Sequence, residues 1–124
     1  MSIAITSLVA AIMFAESGGQ PQGINSHGAA GKWQIKAAVV QDVNRHFGQH
    51  YRWPESALHD GEARNICTLH LLRLSRAWRV SEAEARRLAL AWRWGVAGSR
   101  LHTDKPSPYW ERVRMRLTSS SKGE

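Results

Sequence analysis

The chain has a single cysteine, Cys67, so no internal disulfide can staple it and the fold must stand on packing. It lacks any apolar run near the roughly 20 residues that a membrane span requires; the longest apolar stretch is the opening segment. Acidic residues are scarce, 10 Asp plus Glu against 17 Lys plus Arg, which leaves a net charge of +7. A basic surface favours polyanions, among them nucleic acid, anionic membranes and the teichoic-acid-bearing bacterial wall, and charge alone does not choose among them. The six histidines show no metal-ligand spacing such as His-Glu-x-x-His, so no metal and no cofactor are expected. Internal repeats and domain linkers are missing too. At 124 residues with 43% hydrophobic content, the chain can bury one core and hardly two. The expectation is one mainly α-helical domain over residues 1–117 with about five helices, a loop-rich cleft and a polar tail at 118–124, acting as a monomer.

What is present is helical periodicity broken by glycine. From Ser2 to Ser17 there is no Gly or Pro, and Ile5, Leu8, Val9, Ile12 and Met13 recur at three- and four-residue spacings, as one face of a helix requires. This segment lacks a positively charged first region and runs straight into patterned sequence, so it reads as a helix of the fold and not as a signal peptide. Ser17 to Gly31 is a loop long enough to carry function. Lys32 to Ile35 is a short extended piece, and a second helix runs from Ala37 to Phe47 and stops at Gly48, with Val39, Val40 and Val43 inward. Gln49 to His59 is a connection. Asp60 caps a third, central helix that runs to Trp78. Ser81 with Glu84 makes a capping box for a fourth, which ends near Trp94 before Gly95 and Gly98. Ser107 and Pro108 start a fifth, with Trp110, Val113 and Leu117 on one face.

Glu16 stands out because it continues the first helix's apolar stripe, four residues after Ile12 and three after Met13. It also falls in the last turn, where the negative end of the helix dipole opposes a further negative charge. Burial and dipole both raise a carboxyl pKa, and a glutamic acid that keeps its proton near neutrality is suited to protonate a leaving oxygen. The alternative is a frayed helix end with Glu16 turned to water.

The loop beyond adds a motif. Glu16-Ser17 is followed by Gly28-Ala29-x-Gly31-x-x-Gln34-Ile35, in which the glycines let backbone pass close to its neighbours and Gln34 offers an amide beside a cleft. The arrangement resembles the lysozyme-like superfamily, especially lytic transglycosylases and goose-type lysozymes. Members carry an aromatic, an Asn and a Gly after a later helix; the matching stretch is Ala91-Trp92-Arg93-Trp94-Gly95, with Arg93 at the Asn position. Pro108-Tyr109-Trp110-Glu111-Arg112-Val113 is similar to the closing helix of a phage and bacterial branch, so the likeness runs in patches from about Ile12 to Val113.

The resemblance implies cleavage of peptidoglycan between N-acetylmuramic acid (MurNAc) and N-acetylglucosamine (GlcNAc), with Glu16 as general acid and base. The partner would be the glycan strand and the place of action the bacterial wall; the chain's location stays open. Hydrolysis by inversion needs a second carboxylate. Asp42 is expected to face solvent or pair with Arg45, and Glu55, Asp60 and Asp104 sit on connections or caps. That tilts the reading from muramidase toward the lytic mechanism, in which the substrate's own 6-hydroxyl closes the ring.

Candidate groove residues each have a plainer alternative. Ser17 orients Glu16 or caps its own helix; Trp33 and Trp92 stack on sugars or fill the core. Asn25 and Ser26 bind an acetamido group or their own turn, and Arg93 meets wall carboxylates, the lactyl group or a surface acid. Two other functions stay open: a catalytically silent glycan- or partner-binding domain, which Arg93 keeps alive, and a basic single-stranded nucleic-acid module, suggested by Trp and Arg side by side at 52–53, 78–79 and 92–94. The nucleic-acid reading is the weaker, since the aromatics scatter over separate helices and no nucleic-acid motif is present.

Overall fold

The computed structural model describes residues 2–122 and is mainly helical. The first three residues of the expected opening helix are instead a strand, β1 (Ser2–Ala4), paired antiparallel with β4 (Arg79–Ser81), so that Ile3 faces Val80. The pairing is clamped by Arg79, whose guanidinium donates to the Ser2 Oγ at 2.9 Å and to the Ser2 carbonyl at 3.1 Å. It also settles the start of α1 (Ile5–Ser17), which has no side-chain cap: the Ile5 N–H donates to the Trp78 carbonyl at 2.8 Å. Ile5, Leu8, Val9 and Ile12 are buried, and α1 ends at Gly18 in the left-handed conformation, its N–H donating to the Phe14 carbonyl.

After the loop comes a two-stranded ribbon, β2 (Ala29–Ala30) and β3 (Ile35–Lys36), pairing Ala30 with Ile35. Its turn requires glycine at Gly31: φ is +78°, and a Cβ there would lie 2.0 Å from the Ala57 carbonyl oxygen. Helix α2 (Ala37–Phe47) has the expected bounds, with Val40 and Val43 buried. The connection that follows contains one short helix, α3 (Glu55–Leu58). The central helix is α4 (Asp60–Ser75), shorter than expected because Arg76 turns left-handed and frees the chain to form β4. His59, not Asp60, caps it, Nδ1 accepting from the Glu62 N–H at 3.2 Å; Asp60 instead pairs with Lys32 at 2.7 Å.

Helix α5 (Glu82–Ser99) begins as expected, the Ser81 Oγ accepting from the Glu84 N–H. It does not stop at Trp94: Gly95 breaks it (φ 77°, ψ 161°) and a further turn runs to Ser99. That backbone conformation is essentially confined to glycine. Helix α6 (Pro108–Lys122) carries on through five of the residues read as tail; Gly123 and Glu124 lie outside the described residues. α1 packs against α6 and α4, and Tyr109, Trp110, Val113 and Leu117 close the core from the α6 side. The C-terminal end of α1 is thus held between α4, α5 and α6. Among the described residues no helix is long and apolar enough to cross a membrane.

Candidate active site

A cleft of about 610 Å³ opens at that end of α1. Glu16 reaches it from the last turn of α1; Asn25 and Gln34 come from the loop and ribbon; Val39 and Asp42 from α2; His70 from α4; Trp92, Arg93 and Trp94 from α5. Its size suits a sugar-bearing ligand, and a cleft with a few convergent polar groups is the usual form of such a site.

The Glu16 side chain is only 4% exposed. Burial raises its pKa above the ordinary value, while the Tyr109 hydroxyl, Arg93 and Arg112 pull the other way. Arg93 Nη1 donates to Glu16 Oε1 at 3.3 Å from a side chain that is 44% exposed, so this pair is long and partly open to solvent. The buried Tyr109 hydroxyl has no hydrogen bond of good geometry among the described residues, yet it is close enough to Glu16 for each to move the other's pKa. Burial first, and Glu16 second, push the Tyr109 phenol well up; the same two causes push up the Cys67 thiol behind the carboxylate. Glu16 is therefore an acid neighboured by Tyr109 and Cys67, which stay neutral, with Arg93 beside it in the cleft wall. The direction is the one expected from sequence, and burial is its largest cause.

The loop holds its polar groups in place. Asn25 Oδ1 accepts from the His27 and Ala29 N–H groups, at 2.9 and 3.0 Å, and its Nδ2 donates to Gln34 Oε1 at 2.7 Å. Gln34 Nε2 donates to the Gly31 carbonyl at 2.9 Å, and Gln34 itself sits at φ 55°, a conformation that costs a non-glycine residue about 1–2 kcal/mol. Asn25 thus satisfies its own turn and lines the cleft as well.

Other expectations are corrected. Trp33 is fully buried, its indole N–H donating to the Val9 carbonyl at 2.9 Å, so no sugar can stack on it; it is a core residue. Ser17 Oγ donates to the Met13 carbonyl and accepts from the Gly19 N–H, finishing its own helix, and neither Ser17 nor Ser26 lines the cleft. Trp92 does line it, held by an indole N–H bond to the Trp33 carbonyl at 3.1 Å and by the edge of His70. Asp42 pairs with Arg45, as its spacing suggests, and faces the cleft as well.

Three groups around the site escaped sequence reasoning: His70 and Trp94 in the cleft wall, and Tyr109 beside Glu16. His70 is buried, with its pKa lowered by that burial and its Nδ1 unpartnered among the described residues. It lies three residues after Cys67 and four after Ile66, so an imidazole on an apolar stripe was the available signal. Tyr109 shares the stripe of Val113 and Leu117 in the same way. Trp94 stacks on His102 with ring centroids 4.3 Å apart and forms the outer rim, where no periodicity marks it.

Comparison with known families adds the deciding observation: the model of the Transglycosylase SLT domain matches residues 4–83, well over half of the chain. The chain belongs to the transglycosylase SLT family. The match takes in Glu16 and the glycine-bearing loop, whereas Trp92, Arg93 and Tyr109 lie beyond it. Comparison with curated proteins and with solved structures gave no match. Membership gives this SLT domain a general role, a lytic-transglycosylase-like domain of peptidoglycan metabolism. Among its described residues, no group of three or more His, Cys, Asp or Glu side chains is placed to hold a metal ion.

Proposed function

We propose that this SLT domain cleaves the β-1,4 bond between MurNAc and GlcNAc in peptidoglycan strands, with Glu16 serving first as acid and then as base. The observation that carries the reading is the Glu16 carboxyl itself: 4% exposed, raised in pKa by burial, and open on one side to a cleft walled by Trp92. In the first step Glu16 gives its proton to the glycosidic oxygen as the bond to the anomeric carbon breaks through an oxocarbenium-like transition state. In the second the muramyl 6-hydroxyl attacks the anomeric carbon and its proton returns to Glu16. The products are a 1,6-anhydromuramyl end and a free GlcNAc 4-hydroxyl, and the carboxyl is ready to act again.

One side chain thus suffices. A second reading, hydrolysis, is favoured by Asp42, a carboxylate on the wall of the same cleft that could activate water. For the nucleic-acid reading the aromatics stay scattered, with Trp78 exposed just before β4 while Trp92 and Trp94 line the cleft. Mass analysis of fragments released from purified peptidoglycan tests the proposal. Anhydromuramyl ends, lost in Glu16→Gln, are expected. Reducing ends would point to hydrolysis, and no fragments at all would leave a binding domain.

A further inference from the structure

Beside the cleft lies a second, smaller pocket of about 220 Å³, and the two share Arg93 and Trp94. Its other walls include His102, Ser107, Tyr109 and Arg112. No Asp or Glu lines it among the described residues, whereas two guanidinium groups do. Arg93 spends one donor on Glu16 at 3.3 Å and leans over the Trp94 and Tyr109 rings at 5.4 and 5.7 Å. A guanidinium has five N–H donors, so most of its capacity stays free. Arg112 also lies over the Tyr109 ring at 5.7 Å and makes no ion pair or side-chain hydrogen bond among the described residues. Two cations lining one small hollow otherwise walled mostly by rings and prolines repel each other, and an anion between them relieves that repulsion while taking charge-assisted hydrogen bonds from both.

We propose that this pocket is an anion subsite joined to the cleft, which takes a carboxylate carried as a substituent by the glycan bound at Glu16. The inference rests on the glycan-cleavage reading and deepens it. The hollow is far smaller than the cleft, and its cations fit a planar two-oxygen group better than another neutral sugar. Arg93 is the hinge of this specificity, since it touches the reacting acid on one side and the subsite on the other. A carboxylate next to the scissile sugar could come from the lactyl ether of a muramic acid stripped of peptide or from a peptide stem; both present the same chemistry to the two arginines.

Binding to the Glu16→Gln protein, which cannot turn substrate over, separates these cases by calorimetry. The probes are neutral chitotetraose, an alternating GlcNAc–MurNAc tetrasaccharide with free lactyl carboxylates, its lactyl amide, and the same strand bearing peptide stems. The acid form should bind about tenfold more tightly than the amide, the yield of one charge-assisted pair. Adding Arg112→Gln should reduce that preference to about twofold or less while leaving chitotetraose binding unchanged. Arg112 is exposed, and in the described fold it makes no ion pair or side-chain hydrogen bond and only leans over the Tyr109 ring, so its loss should leave folding intact. Arg73→Gln removes an equal charge outside both cavities and should keep the preference. A preference confined to stem-bearing strands supports the subsite and names the stem as its source. Equal binding of acid and amide, or a preference that survives Arg112→Gln, overturns the subsite while the cleavage reading stands. Failure of every glycan to bind overturns both.

Discussion

Replacing Arg93 with glutamine keeps a long polar side chain and removes the nearest cation from the acid. Two unit charges 3.3 Å apart attract by about 1.3 kcal/mol in bulk water, before the cost of fixing the side chains is counted. The Arg93 side chain is 44% exposed, and pairs as open as that yield about 0.2–1 kcal/mol. An effect of about 0.5–1 kcal/mol corresponds to about 0.4–0.7 pH unit. The sign follows from the acid's role. Arg93 favours the charged form of Glu16 and lowers its pKa, so removing it lets Glu16 hold its proton to higher pH. Tyr109, Arg112 and Cys67 are the other groups acting on or lying behind the carboxyl, and the variant leaves them in place. The assay is the pH dependence of kcat/KM on a soluble glycan strand, whose alkaline limb reports the proton of the free enzyme. In Arg93→Gln that limb should move up by the stated amount, whatever happens to the overall rate. A limb that stays still or moves down would refute the electrostatic account of Glu16.

Two further outcomes follow from the same structure. Gly31→Ala should destabilise the fold by about 2–4 kcal/mol, read as a lowered urea midpoint, since it combines left-handed strain with overpacking; the overlap is with backbone that cannot rotate away, the Cβ lying 2.0 Å from the Ala57 oxygen. Glu16→Gln should gain stability relative to the native protein as pH rises. A carboxyl whose folded pKa is raised binds its proton more tightly in the folded state, so the native protein loses stability from the unfolded glutamate's titration up through the raised value, and the amide does not. Urea titrations at several pH values check this, and a difference that is flat or runs the other way would contradict it.

Local signals made much of the fold legible in the sequence. The bounds of α2 are set by Gly48 and by the apolar spacing of Val40 and Val43, and the start of α5 by the Ser81 cap; both are decided within a few residues. The position of Glu16 on the buried stripe of α1 is equally a matter of spacing. What sequence reasoning missed depends on distant partners. Ser2–Ala4 reads as helix because its strand mate is Arg79–Ser81, far along the chain, and pairing there outweighs helical propensity. Trp33 reads equally as groove wall or core because its motif lies beside the cleft, and only the fold decides, turning its indole inward to the Val9 carbonyl. His70 and Asp42 come from two different helices, and only the packing of α2 on α4 brings them to one wall. Gly95 marks a break that the sequence signals correctly, while the extra turn beyond it depends on how the chain must reach α6.

The central claim is that a buried Glu16 keeps its proton beyond the range of an ordinary glutamate, and a carbon-13 NMR titration of its side-chain carboxyl tests that most directly. The account predicts a midpoint above the usual value of 4.5, moving higher still in Arg93→Gln. A midpoint at or below that value would contradict it, because Glu16 would then lie too low to serve as the acid that cleaves the glycan.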